Sequence, residues 1–266
     1  MKTVIGIYGA CGRTGRRIVD LASSDPEITL AATLDAKSHP LIGRDAGEVA
    51  GIGPIGVSVT TVLPAQPRLD AMLDFSTPAG TMAILPECLA HKIPLLVATT
   101  GHTAEQRAEI AAAAHHIAIL HAPNTSLAVN VLRELVREAA EMLRGRDYDI
   151  EIVERHHRYK KDAPSGTALQ LARVVQEATG ATHLRHGREG QHGERKSHEI
   201  GIHAVRVGDN IGEHTVIFST LGETLELTHR AHARDCYARG ALQAAKFLAN
   251  RPAGSYSMDD VLEFRV

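Results

Sequence analysis

Residues 4–15 read V-I-G-I-Y-G-A-C-G-R-T-G, and this stretch decides the fold of the first half of the chain. Residues 4–8 are a short apolar run of the kind a buried strand presents, and beyond Gly15 the apolar spacing turns helical through Ala22. Strand, glycine turn and helix in that order are the context a dinucleotide-binding loop requires, because the first N–H groups of the helix lack intrahelical partners and face an anion. The spacing of Gly9, Gly12 and Gly15 is G-x-x-G-x-x-G instead of G-x-G-x-x-G, and glycines in such a turn also serve purely steric ends. Residues 29–34 give a second strand ending in Asp35, about twenty residues past Gly15, where a carboxylate accepts hydrogen bonds from an adenosine ribose.

The alternation continues outward. Residues 69–75 and 94–98 read as buried strands, the first ending in Ser76-Thr77-Pro78 and the second in Thr99-Thr100-Gly101. Ligands of an open parallel sheet sit beyond the carboxyl ends of its strands, so these hydroxyls stand where a cofactor is reached; ordinary turn and N-cap duty is the alternative. A surface helix over 104–116 and a strand over 117–120 follow. His121-Ala122-Pro123-Asn124-Thr125-Ser126 then breaks the pattern before a long helix over 127–143. The expected fold class is α/β: a Rossmann-like, doubly wound parallel sheet over 1–126, rejoined by 237–266, and a C-terminal α+β domain over 127–236.

The second domain is organised around residues 154–167, E-R-H-H-R-Y-K-K-D-A-P-S-G-T. Residues 148–153 alternate as a half-buried strand does, and from Ala168 to Val175 apolar residues recur at helical spacing until Gly180 closes the run. A strand, a cationic loop and a helix start make an anion site. Two proton-handling groups stand beside it, since imidazole titrates near neutrality and a lysine crowded by cations is pushed down toward that range. A solvated basic loop is the plain alternative in a chain with 16 histidines. Residues 198–206, 214–219 and 224–228 read as three strands, with connections Gly208-Asp209-Asn210 and Leu221-Gly222-Glu223 short enough for hairpins. With 148–153 they give a mixed, mainly antiparallel sheet covered by helices on one face, and Ile200, Ile202, Ala204, Ile217 and Leu225 are candidates for the other. Residues 184–197, Gly-rich and charged, read as a flexible solvated loop, and 258–266 as a tail returning to the first domain.

Composition narrows the function. A formal net charge of −2, no Trp and only 3% aromatic residues speak against nucleic acid as the partner. No apolar run approaches the roughly 20 residues of a membrane span, and the first residues lead into a strand instead of a signal peptide, so the expected location is the cytoplasm. Cys11, Cys88 and Cys236 are few and widely spaced and read as packing residues. No metal is expected, because His156 and His157 are adjacent and project differently, and no H-x-x-x-H or Cys pair completes a ligand set.

The string H-H-x-x-K-x-D-A-P-S-G-T over 156–167 resembles the signature of the 4-hydroxy-tetrahydrodipicolinate reductase (dihydrodipicolinate reductase) family of lysine and diaminopimelate biosynthesis. The similarity takes in the glycine loop, Asp35, Ala98-Thr99-Thr100, residues 122–126, R-E-G-x-x-G-E-R over 188–195 and residues 212–216. The resemblance implies hydride transfer from NADH or NADPH to a cyclic unsaturated imine carrying two carboxylates. It makes His156 the general acid/base and Lys160 a second proton donor, with His157, Ser165, Gly166 and Thr167 holding a substrate carboxylate. Gly9, Ala10, Cys11, Gly12, Arg13, Thr14, Asp35, Ala98, Thr99, Thr100, Ala122, Pro123, Asn124 and Thr125 become the cofactor-binding positions. A mobile loop near the site and a homotetramer built through the second sheet are further implications. Three departures stand out: Ala98 where a glycine is common, no aromatic in Pro123-Asn124-Thr125, and Ala36 where some members carry an arginine. Asp35 favours a free ribose hydroxyl, so NADH is expected to serve at least as well as NADPH, with Lys37 and Arg13 left to meet a 2′-phosphate. Two rivals stay open at this point, a reductase of the same architecture for another imine and a dinucleotide sensor, and the proton donors beside the anion pocket count against the sensor.

Overall fold

Strand β1 (Thr3–Tyr8) buries Ile5 and Ile7 completely, as a strand covered on both faces must. In the computed structural model, which describes residues 1–263, it is followed by α1 (Arg13–Ser24), β2 (Ile28–Leu34), α2 (Ala46–Ala50), β3 (Val59–Thr60), β4 (Ala71–Asp74), α3 (Pro78–His91), β5 (Leu95–Val97), α4 (Ala104–Ala113) and β6 (Ala118–His121). Then come α5 (Leu127–Leu143), β7 (Asp149–His156), α6 (Gly166–Thr179), β8 (His183–His186), β9 (Glu199–Arg206), β10 (Gly212–Thr220) and β11 (Glu223–Ala231). The chain ends with α7 (Asp235–Leu248), β12 (Gly254–Tyr256) and α8 (Met258–Val261). Two compact units result, Met1–Leu127 with Arg234–Val266, and Ala128–Ala233.

The first unit is a parallel sheet of seven strands in the order β12-β6-β5-β4-β1-β2-β3. The chain runs outward from β1 in one direction through β2 and β3, and in the other through β4, β5, β6 and finally β12. The order therefore reverses beside β1, which puts the crevice for a ligand at the carboxyl end of that strand. This is the doubly wound sheet that the glycine loop announces. Helix α7 packs on β1, β4, β5 and β6, and Ala238, Ala241, Ala244 and Ala245 on it are all fully buried. Its approach is so close that a Cβ at Gly240 would lie 1.7 Å from the Thr125 carbonyl oxygen. The tail expected over 258–266 is represented by α8, and residues 264–266 lie outside the described residues.

The second unit is a mixed sheet of five strands in the order β11-β10-β7-β9-β8. Its β10 pairs antiparallel with β11 and with β7, whereas β9 runs parallel to both β7 and β8. Leu221 and Gly222 make the β10–β11 hairpin, with Gly222 at φ +99, in the left-handed region that favours glycine. Gly208-Asp209-Asn210 makes no hairpin, because β7 is inserted between β9 and β10. Helices α5 and α6 cover one face: Leu132, Val136, Leu171, Ala172 and Val175 pack on Ile150, Ile152, Ile200, Ile202, Val216 and Phe218. Ile200 and Ile202 thus belong to the core, and Leu225 pairs with Phe218 on the same face, so of the five expected open-face residues Ile217 is the one that turns away from the helices. The stretch expected as a flexible loop contributes β8 and is then tied down. Arg188 makes a bidentate pair with Glu151 (2.9 and 2.7 Å) and also reaches Glu199 (2.7 Å), while Arg195 bonds Glu151 (2.9 Å) and Asp149 (2.6 Å).

Candidate active site

In the first unit the glycine loop separates into two kinds of position. Gly9 stands at φ +84, and a Cβ there would lie 2.5 Å from the Phe75 carbonyl oxygen; a Cβ at Gly15 would lie 2.2 Å from that of Gly9. Those two glycines are required by packing alone. Gly12 is different: it is exposed, it is the N-cap of α1, and no side chain caps it. The helix start thus opens to solvent through Gly12, Arg13 and Thr14, with its first N–H groups directed outward. Asp35, just past β2, braces this loop from the side: its Oδ2 accepts from Cys11 N (2.9 Å) and its Oδ1 from Ala36 N (2.8 Å). Burial and the neighbouring Asp35 carboxylate push the Cys11 thiol up to about 11, so it is a protonated packing group.

Around the ends of β4 and β5 the hydroxyls prove to be structural. Asp74 is fully buried, and burial raises its pKa although Ser76 and Thr81 donate to it, each at 2.5 Å. Thr99 is buried and accepts from Ser76 N (3.0 Å). Thr125 is buried and donates to the Tyr237 carbonyl (2.8 Å), and Asn124 Oδ1 accepts from Ser126 N (2.9 Å). Thr99 and Thr125 therefore offer a ligand backbone groups, whereas Thr100 and Pro123 are exposed, Asn124 is half-buried and Ala122 is buried behind them. An open helix N-terminus, a loop that excludes a Cβ at Gly9 and Gly15 and a carboxylate after the second strand fit a dinucleotide.

In the second unit the core stripe of β7 becomes the site. Ile150 and Ile152 face the helices, and the same parity carries Glu154 and His156 inward, so His156 is the last residue of the strand and not part of the loop. Register sets the neighbours: Glu154 lies across from His214 on β10, and His156 across from Arg206 on β9. Glu154 has no exposed surface. Its Oε2 meets His156 Nδ1 at 2.7 Å, its Oε1 accepts from Ser165 N at 3.0 Å, and Arg206 donates to both oxygens at 2.8 and 2.9 Å. Burial works against the Glu154 charge, but Arg206, His156 and the Ser165 N–H together hold its pKa below the usual carboxylate range. An ionised carboxylate only accepts, so Nδ1 of His156 carries the hydrogen and Nε2 is the ring atom left to exchange a proton. Burial, with Lys160 and Arg206 nearby, lowers the His156 pKa against the pull of Glu154, and the resting imidazole is neutral at pH 7.

The helix start beside it is divided in function. Ser165 is buried; its hydroxyl accepts from Ala168 N (3.2 Å) as the N-cap of α6 and meets His214 Nε2 at 3.0 Å, while its N–H is spent on Glu154. Its polar groups are thus consumed inside the fold. Gly166 is exposed with nothing within 4 Å of a notional Cβ, so no packing demands a glycine there and its backbone stands open. Thr167 is half-buried beside it. His157 keeps a buried Nδ1 with no partner among the described residues. Lys160 is one-fifth exposed and bonds both oxygens of Asp162 at 2.9 Å, so it is a paired cation where crowding by other cations was expected. Sequence reasoning assigned no role to Glu154, Arg206 or His214. Parity along β7 pointed to Glu154, whereas Arg206 and His214 depend on strand register that no local pattern reveals.

A parallel sheet with a glycine loop at its switch point, together with a unit that carries an imidazole, a lysine and an open helix start, defines a dinucleotide-dependent oxidoreductase of two units. Comparison with known proteins narrows the class. Residues 3–125 match the family model "Dihydrodipicolinate reductase, N-terminus" and residues 128–262 match "Dihydrodipicolinate reductase, C-terminus". The chain is 43% identical over 273 residues to the 4-hydroxy-tetrahydrodipicolinate reductase of Magnetococcus marinus, covering 100% of both chains. It is 42% identical over 265 residues to that of Geotalea uraniireducens, covering 98% of this chain and 99% of the relative. A solved structure of dipicolinate-bound dihydrodipicolinate reductase from Paenisporosarcina sp. TG-14 shares the fold, with a TM-score of 0.76 and 24% identity over 97% of this chain and 98% of that one. The chain belongs to the dihydrodipicolinate reductase family.

Proposed function

We propose that this chain is an NAD(P)H-dependent oxidoreductase that reduces 4-hydroxy-tetrahydrodipicolinate to tetrahydrodipicolinate in lysine and diaminopimelate biosynthesis. The observation that carries the reading is the Glu154–His156 pair beside the open start of α6, in a chain that matches curated reductases of this name from end to end. When bound, the nicotinamide supplies a hydride. Gly12, Arg13 and Thr14 receive its pyrophosphate at the start of α1, with Gly9, Ala10 and Cys11 forming the wall, and Asp35 accepts from its ribose. Backbone groups of Ala98, Thr99, Thr100, Ala122, Pro123, Asn124 and Thr125 line the remaining length. Asp35 favours NADH at least as much as NADPH, and Lys37 and Arg13 are the cations for a 2′-phosphate.

In the second unit His157, Gly166 and Thr167 hold a substrate carboxylate, with Ser165 anchoring the helix start that presents them. Loss of the 4-hydroxyl as water turns the substrate into a conjugated imine, which on accepting a hydride becomes an enamine and must collect a proton on carbon. His156 Nε2 handles that proton, and Lys160 is the second donor. The substrate's negative charges work against the burial that keeps His156 neutral, so its imidazole takes up a proton as substrate arrives. The open face of the second sheet, with Val153, Val205, Thr215 and Ile217, is the surface through which four chains assemble, and the enzyme works in the cytoplasm. Among the described residues no helix is long and apolar enough to cross a membrane.

The test is loss of nicotinamide absorbance with substrate made freshly from pyruvate and aspartate semialdehyde, NADH and NADPH in parallel. Rapid oxidation is expected, and His156→Ala and Lys160→Ala should each lower kcat by ~10²-fold or more while NADH still binds. No oxidation with intact NADH binding would move the reading to another imine.

A further inference from the structure

We infer that Glu154, backed by Arg206, is the positioning residue of this site, one buried carboxylate that fixes the proton-transferring imidazole and the anion-binding helix start in a single frame. Its two oxygens are divided between the two jobs. Oε2 takes the Nδ1–H of His156 at 2.7 Å, which leaves Nε2 as the reacting atom, and Oε1 takes the N–H of Ser165 at 3.0 Å, which sets where Gly166 and Thr167 begin. Arg206 grips both oxygens and also donates to the Asp162 carbonyl (2.6 Å), so the loop that carries Lys160 is tied to the same point. Ser165 passes the constraint on, through its hydroxyl, to His214 at 3.0 Å. A carboxylate is the group this arrangement demands, because it accepts in both directions at once. A glutamine of the same shape accepts on one side and donates on the other, so it must either reverse the His156 tautomer or oppose the Ser165 N–H.

The inference rests on the reading of His156 as the proton-transfer group, and the test separates the two. Long-range proton–nitrogen NMR correlation on the intact protein with 15N-labelled histidine should show His156 as the Nδ1–H tautomer at pH 7.5; an Nε2–H tautomer overturns the inference whatever the kinetics. In Glu154→Gln we expect kcat to fall ~10²-fold with KM for NADH within about twofold of the native value, KM for the dicarboxylate raised, and a folded chain of lowered Tm, because Arg206 loses its buried partner. The groups facing His156 are Glu154 from β7, Arg206 from β9, His214 from β10, and Lys160 with its partner Asp162 from the loop. Removing the one anion that touches the ring leaves Arg206, the neutral His214 and the Lys160–Asp162 pair around it, so the limb of the pH–rate profile assigned to His156 moves to lower pH. A merely structural carboxylate would change the amount of folded enzyme and leave that limb in place. Unchanged kcat, or an unmoved limb with kcat reduced, overturns the inference. If Glu154→Gln does not fold, the native tautomer measurement decides. If His156→Ala keeps native turnover, the reading of His156 fails, while the tautomer result still reports on Glu154.

Discussion

Asp35 holds Cys11 N and Ala36 N with its two oxygens, which shapes the glycine loop, and in the proposed function its charge also faces the adenosine ribose. A 2′-phosphate beside that charge is repelled, so Asp35→Asn, which keeps one acceptor and removes the charge, should raise the ratio of kcat/KM for NADPH over NADH by ~10-fold, about 1.4 kcal/mol of relieved repulsion. Parallel assays with the two cofactors read it directly, and an unchanged ratio would leave the choice of cofactor to Arg13 and Lys37. As candidates, Asp35 stands out through its distance from the glycine loop, a local sequence property, and His156 and Lys160 through their place in one short string. Glu154 lies in that string and still went unassigned, since its meaning comes from the parity of β7. Arg206 and His214, 52 and 60 residues further on, gain theirs from register alone.

At the scale of elements, strand β7 explains both what the sequence conveyed and what it concealed. The alternation over 148–153 announced a strand, and the turn at Leu221-Gly222 announced the hairpin of β10 and β11. Nothing local could show that β7 would insert between β9 and β10, because parallel and antiparallel partners are chosen over long separations. That insertion also gives Glu151, on the face away from the helices, its set of partners: Arg188, Arg195 and, at 2.7 Å, His203. Gly201 on β9 makes the space, since a Cβ there would lie 1.8 Å from a Glu151 oxygen. Burial opposes the Glu151 charge, and the arginines and His203 overcome it and lower its pKa to about 2. A depressed carboxylate stabilises the folded state above its unfolded pKa of 4.5, and that stabilisation disappears as pH falls toward about 2. Glu151→Gln should therefore release residues 187–198, seen as cleavage there by trypsin at least ~10-fold faster than in the native chain at pH 7.5, with a loss of about 2 kcal/mol in stability. Equal cleavage rates would mean that β8 and the backbone contacts hold the segment without the ion pairs.

For the molecule as a whole, the cost of the second unit's design is sensitivity to mild acid. His156, His214 and His229 lie close together on the buried face of one sheet, with ring centroids 5.2 Å apart for the first pair and 6.5 Å for the second. All three have lowered pKa values, each with burial as the main cause, and His214 is carried down to about 3. The sign follows from proton counts. Between pH 6.5, where an unfolded histidine titrates, and about 3, the unfolded chain binds a proton that folded His214 refuses, so stability rises with pH across that window and is lost on acidification. From pH 7.5 to pH 5 His214 alone removes about 2 kcal/mol, and His156 and His229 act in the same direction. The paired carboxylates Glu151 and Glu154 do not enter until the pH drops below 4.5, so the first decline belongs to the histidines. Thermal unfolding of the ligand-free protein should therefore show Tm falling by several degrees between pH 7.5 and 5 and falling more steeply below pH 4.5. Dipicolinate, which carries two carboxylates, should blunt the first decline if it sits against His156, because its charge favours the protonated ring. A Tm that stays level from pH 7.5 to 5 would mean that the three imidazoles are not held neutral, and the low resting pKa of His156 would fall with them.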